Sequence, residues 1–253
     1  MSVQQVKFKE IADAIREKTN GTDKIKPSEF AGKVDEVYEA GKAKGIEEGK
    51  KSEYDRFWED TLKNMGLGDF AFAGPTWTDE SFNPPRGTVI QPSRAVYMFA
   101  CARITDLVAL CEEKEITIDF SKSTSFMDTF YGAYGANFTR IGVVNTTSSN
   151  SLNQTFYGQL KLHTIVKIIL RDDGSQTFPS AFNNCSALEN VEFEGTIGQN
   201  MDVHWSTKLT HDSLMSILNA GRNCTLNLGT ANLEKLSVEE KAIATIEKGC
   251  TLI

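Results

Sequence analysis

One eight-residue pattern occurs three times in this chain at a constant spacing. The copies SFMDTFYG, SLNQTFYG and TFPSAFNN place Phe130, Phe156 and Phe182 at intervals of 26 residues. A fixed period of about 20 to 50 residues is typical of solenoids, in which each repeat buries its apolar face by stacking on the next repeat. We therefore predict a stack of coils. Such stacks commonly bind partners along an extended surface.

Short alternating apolar segments follow the copies, among them RIGVV, VKIIL and VEFEG. Their β-branched content and two-residue alternation predict strands. Strands about 25 residues apart are too distant for a tight hairpin, so we expect them to lie parallel. The alternation assigns the following residues to the core: Ile116, Ile118, Ile141, Val143, Val166, Ile168, Val191, Phe193, Leu226 and Leu228.

The period continues to the end of the sequence, where CTLNL and CTLI start 26 residues apart. A helix is predicted before each of these two strands. Thr210 is the expected N-cap of the first helix and Gly221 its stop. Ser237 is the expected N-cap of the second, with Glu240 completing a capping box and Gly249 as the stop. Strand-helix units of this kind would close the stack.

Residues 67–94 differ in composition from the repeats. They are rich in Gly, Pro and aromatic residues, lack a helical period and contain a Pro-Pro pair. We predict a lead-in that covers the exposed end of the stack. Its expected anchors are Phe70, Phe72, Trp77 and Phe82, since clustered Phe and Trp are usually buried.

Residues 1–66 have helical periodicity with a thin apolar stripe and many charges. Two interpretations stay open: a helical stalk or coiled coil that forms a dimer or trimer, and a helix that breaks into a flexible linker. In the first, closely spaced glycines allow helices to approach, and the aromatic residues that follow are buried between copies. The residues assigned to this oligomerisation are Gly41, Gly45, Gly49, Tyr54, Phe57 and Trp58.

Composition excludes several kinds of partner. The net charge of -7 disfavours nucleic acid and anionic lipid, which are bound mainly through Lys and Arg. No apolar run approaches the roughly 20 residues needed to cross a bilayer. The first residues have no apolar core of a secretory signal, so we expect synthesis in the cytoplasm. The five cysteines and three histidines lack zinc-site spacing, and we expect neither a metal nor a cofactor.

The segment AFNNCSALENVEFEG resembles the BspA-like class of bacterial leucine-rich repeat. Phe182, Cys185, Leu188, Val191 and Phe193 occupy the aromatic, turn and strand places of that pattern. Two preceding copies match it in part. The resemblance covers residues 95–253 and implies an α/β fold: a short right-handed leucine-rich-repeat solenoid with parallel strands, preceded by the N-terminal helical stalk.

The N-terminal segment IADAIREKTNGTDKIKPSEFAGKVDEVYEAGK resembles the start of tail or baseplate-associated proteins of phages and prophages. Those proteins resemble adaptors that attach a receptor-contacting module to the particle. The resemblance implies a place in the virion, contacts with tail or baseplate proteins, and a bacterial surface protein or glycan as the target. A virion component leaves the cell by lysis, which fits a chain without a secretory signal.

Outward positions of the predicted strands are the candidate binding residues, because the alternate positions belong to the core. They form a polar, mildly acidic face, although a merely solvated surface would look the same. The candidates are Thr117, Asp119, Lys167, Glu192, Glu194, Thr225 and Asn227.

Catalytic motifs are lacking: the sequence has no G-x-S-x-G, no H-E-x-x-H and no Cys with an identifiable His partner. We therefore expect a non-enzymatic attachment or receptor-binding component of a phage-like tail. The alternatives are a bacterial surface adhesin with leucine-rich repeats and a glycan-processing enzyme.

Overall fold

The computed structural model describes residues 71–132 and 136–253. The predictions for residues 1–66, including the stalk, the oligomer and all six residues assigned to it, lie outside the described residues. Phe70 lies outside them as well.

The described chain consists of short strands and a few short helices, and five strands in its middle follow one another without a helix between them. The strands are β1 (Val89–Ile90), β2 (Thr117–Ile118), β3 (Arg140–Asn145), β4 (Thr164–Ile169), β5 (Asn190–Glu194), β6 (Met201–Asp202), β7 (Thr225–Asn227) and β8 (Thr251–Leu252). The helices are α1 (Leu107–Lys114), α2 (His211–Ala220), α3 (Thr230–Leu233) and α4 (Val238–Ala242), with a π-helical turn at Ile243–Glu247.

All pairings between these strands are parallel. The described residues form three sheets with the orders β1-β2, β3-β4-β5 and β6-β7-β8. Within each sheet, strands that follow one another in sequence are also neighbours in space. The chain that follows each strand therefore runs back to the level where that strand began before the next strand pairs beside it, as parallel pairing requires.

The repeated phenylalanines form one buried column. Phe99, Phe130, Phe156 and Phe182 stack in that order, with successive ring centroids 5.4, 5.6 and 5.4 Å apart. All four side chains are fully buried. Each repeat thus contributes one ring to the column, and burial of these rings supplies the apolar driving force that holds successive coils together.

Buried polar contacts repeat with the same period. The Gln159 side chain donates to the carbonyl of Phe130 at 2.6 Å, and the Cys185 thiol donates to the carbonyl of Phe156 at 2.9 Å. Gln159 therefore fills the place in its repeat that Cys185 fills in the next. The sequence of the earlier copy departs from the Asn-Cys pattern, but the backbone carbonyl is still satisfied.

Two residues assigned to the core were predicted wrongly. Val143 is 48% exposed and Val166 is half-buried, whereas Val144 and Ile165 are buried. The cause is a bulge in β4, between the pairs Ile165–Val191 and Ile168–Phe193, where two residues stand opposite one. Because β3 follows the register of β4, buried positions in both strands are three residues apart, and simple alternation fails.

Seven of the remaining assignments are buried, and Ile118 is half-buried. The buried residues are Ile116, Ile141, Ile168, Val191, Phe193, Leu226 and Leu228.

The parallel ladder of the described residues is divided into the three sheets. The first helix, α1, packs beside β3, and α2 packs beside β5, where one strand would otherwise follow another. At β5 the helix supplies the missing hydrogen bonds. The side-chain oxygens of Ser213 and Ser216 accept from the backbone N–H groups of Val191 and Phe193 at 2.9 and 2.8 Å.

Both ends of the described chain carry the predicted anchors and caps. Phe72 and Phe82 are fully buried, and Phe72 stacks on Phe99 at 5.2 Å. The Thr210 side chain accepts from Ser213 N–H to cap α2, and Ser237 and Glu240 form the capping box of α4. The lead-in segment also contains β1, which was not predicted and which pairs with β2.

Candidate ligand-binding surface

The seven candidate residues fall into three groups, one for each sheet. All seven side chains are exposed or half-buried. Thr117 and Asp119 accompany β2, Thr225 and Asn227 lie on β7, and three charged residues lie on β4 and β5. The structure brings residues together within each group, whereas the breaks in the ladder separate the groups.

Lys167 joins two glutamates in the middle group. Its Nζ atom lies 3.0 Å from Glu192 Oε1 and 2.9 Å from Glu194 Oε2. Hydrogen bonding to Glu194 and then to Glu192 raises the pKa of Lys167. The β4 bulge places Lys167 opposite this pair, so the ammonium group is committed to internal ion pairs. Lys167 and the two glutamates together carry one excess negative charge, which a ligand would meet at this surface.

Asp119 is held in place by two donors beside the first sheet. Its carboxylate accepts from the backbone N–H of Ser121 at 2.9 Å and from the Gln91 side chain. The Ser121 N–H is the main cause of a lowered pKa at Asp119. Asp119 is therefore an ionised, oriented acceptor at neutral pH. Its partner Gln91 was missed, because β1 lies in a segment without strand periodicity.

The third group includes residues that the sequence did not single out as binding residues. His204 Nδ1 lies 2.5 Å from Asp202 Oδ1 and 3.4 Å from Asn227 Nδ2. The Trp205 ring is next to the His204 ring, with centroids 4.7 Å apart, and Trp205 is 46% exposed. We call Asp202, His204, Trp205 and Asn227 the Trp205 cluster.

A half-exposed indole beside fixed polar groups is suited to ligand binding. Burying Trp205 against a partner would remove a large apolar surface from water, and aromatic residues of this kind dominate binding energies at interfaces. The carboxylate, imidazole and amide beside it can orient hydroxyl or amide groups of the ligand. The only sequence signal was the segment MDVHW, where an aromatic follows a strand too short to show a period.

Residues 71–132 and 136–253 contain neither a metal-binding cluster nor a helix that could span a membrane. There, no group of three or more His, Cys, Asp or Glu side chains is arranged to hold a metal ion. Across the same residues, every helix is too short or too polar to cross a membrane.

Comparison with known proteins adds no relative from which a role could be transferred. No protein-family model, curated protein or solved structure matches this chain.

Proposed function

We propose that this protein is a non-enzymatic attachment or receptor-binding component of a phage-like tail. Its repeats form a leucine-rich-repeat solenoid that presents a binding surface, and its N-terminal segment attaches the protein to the particle. The expected target is a protein or glycan of the bacterial surface.

The main support is the separation of a buried apolar core from exposed polar side chains in the described chain. The described chain directs its large apolar side chains into one core and leaves the three groups of polar side chains outside it. The half-exposed Trp205, with Asp202 and Asn227 nearby, adds a site where a ligand would gain substantial apolar contact. The N-terminal resemblance to tail-associated proteins supports the place of action.

Binding to bacterial surfaces tests this proposal. Fluorescently labelled full-length protein is incubated with cells of candidate hosts and with their purified wall glycans. We expect saturable binding to a subset of hosts and a loss of at least tenfold in apparent affinity for Trp205→Ala. Leu160→Ala is the control, because Leu160 is 62% exposed and lies in another repeat.

Two results would contradict the proposal. One is the absence of saturable binding to any cell or glycan, and the other is turnover of a glycan by the purified chain. Flanking tail genes would support a virion component, whereas native protein on cells without phage induction would indicate the adhesin instead.

A further inference from the structure

An apolar cleft lies where the parallel ladder is interrupted between β2 and β3. It has a volume of about 510 Å³ and lies between α1 on one side and residues of both strands on the other. Ile116, Phe120 and Ile141 are buried residues that line it, and Val143 at its margin is 48% exposed. The cleft is thus an apolar opening at the place where a strand pairing is missing.

One of the two strands beside the cleft directs backbone groups towards it. β2 pairs with β1, with Thr117 N–H and Asp119 N–H donating to Thr88 and Ile90 at 3.0 and 2.9 Å. In a parallel pair, successive residues direct their N–H and C=O groups to opposite sides. The backbone groups of Ile118 are therefore directed away from β1, and Ile118 lines the cleft.

Gly142 leaves the β3 side of the cleft without a side chain at this position. A Cβ atom at this position would have only Val108 Cγ2 within contact, at 3.5 Å. The gap between α1 and β3 is therefore not filled by a side chain from residue 142.

The charged residues of the cleft are acidic. Glu112 and Glu115 lie among its lining residues, and none of those residues is Lys or Arg. Glu115 accepts from Arg86 at 2.6 Å, and Glu112 is exposed. A partner with positive charges beside an apolar side chain would be complementary to this arrangement.

We infer that this cleft binds an extended segment of a partner protein. The segment adds its backbone to the free side of β2, places a branched apolar side chain over Ile118 and Val143, and carries Lys or Arg at alternate positions facing Glu112. This is strand addition at an exposed sheet edge, in which backbone hydrogen bonds give affinity and side-chain pockets give specificity. The inference does not depend on the role in a phage tail.

Selection from a displayed library of random nonapeptides tests the inference with the full-length protein. We expect enrichment of sequences with Val, Ile or Leu at alternate positions and Lys or Arg between them. The best peptide is then synthesised and its binding measured by calorimetry. Enrichment of acidic sequences, or of no common pattern, would overturn the inference.

Matched variants locate the binding. Val143→Glu is expected to weaken peptide binding at least tenfold, whereas Val89→Glu changes it less than twofold. Val89 is the control because it is 60% exposed on β1, the strand on the other side of β2, and does not line the cleft. Glu112→Gln keeps the side-chain shape and is expected to weaken binding several-fold and reduce its salt dependence. Equal binding by parent, Val143→Glu and Glu112→Gln would overturn the proposed site, and Glu112→Gln alone decides if Val143→Glu does not fold.

Backbone pairing has its own test. Two versions of the selected peptide carry N-methyl groups on alternate amides, one version for each edge of the extended chain. One version should lose binding and the other should keep it, since only one edge of the peptide faces β2. Retention of binding by both versions would contradict strand addition.

Discussion

At the scale of single residues, the stack depends on places where two backbones approach closely. Gly132 and Gly158 occupy the same position in successive repeats, and Gly132 is buried. A Cβ atom at Gly132 would lie 2.4 Å from the carbonyl oxygen of Gly158. No rotation of a side chain could relieve this contact, because the opposing atom belongs to the backbone. The repeat therefore requires glycine at residue 132 for steric reasons.

Gly132→Ala is expected to destabilise the protein by about 1–3 kcal/mol, the usual range for overpacking a close contact. Gly142→Ala is the matched control, since its Cβ would meet only Val108 at 3.5 Å. That substitution should be neutral or slightly stabilising, because glycine inside a strand is unfavourable by about 0.5–1 kcal/mol relative to alanine. Urea unfolding of both variants checks the prediction. Equal urea midpoints for the two variants would show that the close approach at Gly132 does not require glycine.

At the scale of elements, helix α2 takes the place of a neighbouring strand by hydrogen bonding to the edge of β5. Ser213 and Ser216 accept from the amides of Val191 and Phe193, so the free edge of β5 is covered by side-chain oxygens instead of backbone carbonyls. Ser213 is buried and also donates to Glu189 O at 3.1 Å. An exposed strand edge invites pairing with other chains, and a covered one avoids it.

Ser213→Ala is expected to cost about 1–3 kcal/mol, because a buried amide loses its acceptor. The double variant with Ser216→Ala should also accelerate hydrogen exchange at the amides of Val191 and Phe193. Ser186→Ala is the control, as Ser186 is exposed. Unchanged exchange at both amides in the double variant would contradict the role of α2 as an edge cover.

The stability of the start of α4 depends on pH through the carboxylate of Glu240. Its carboxylate accepts from Ser237 N–H at 2.8 Å and contacts His211 Nε2 at 2.7 Å. The Ser237 N–H is the main cause, and His211 the second, of a lowered pKa at Glu240. A lowered carboxylate pKa stabilises the fold above the ordinary Glu value of about 4.3, and this contribution is lost as the pH falls through the lower folded value.

Glu240→Gln should therefore reduce stability near pH 7, and the reduction should become smaller as the pH falls below the ordinary Glu value of about 4.3. Thermal unfolding of the parent and the variant across this range measures the difference. Glu239→Gln is the control, because Glu239 is exposed and precedes the capping residue. A constant difference between parent and Glu240→Gln at all pH values would contradict the linkage.

The sequence predicted those elements whose signals extend over many residues. The 26-residue period located the phenylalanine column, and Thr210 and Ser237 marked two helix starts by their capping chemistry. The period could not show the β4 bulge, because one extra residue shifts the side chains without changing the repeat length. Strand β6 has two residues, too few to show an alternation. The sequence therefore could not predict this strand or the Trp205 cluster that it positions.

At the scale of the whole molecule, the buried apolar residues of the described chain form one continuous core. Phe72 and Phe82 at one end are connected through the phenylalanine column to the layers that carry Leu226 and Ala244. In the solenoid that we propose, each coil contacts mainly its neighbours, so its stability is approximately a sum of local terms. A surface built this way is extended and repeats weakly from coil to coil. Binding through it gains most when several copies of the chain act together.

The predicted oligomer therefore has a functional consequence. We expect the full-length protein to be a dimer or trimer by light scattering, and replacement of Tyr54, Phe57 and Trp58 by alanine to yield a monomer. Linked binding sites raise apparent affinity by about 10²–10⁴ when both engage the same surface. The monomeric variant should thus bind cells at least tenfold more weakly while its affinity for the isolated cleft peptide is unchanged. A parent protein that is already monomeric would contradict the stalk, and equal binding of monomer and oligomer to cells would contradict attachment through several copies.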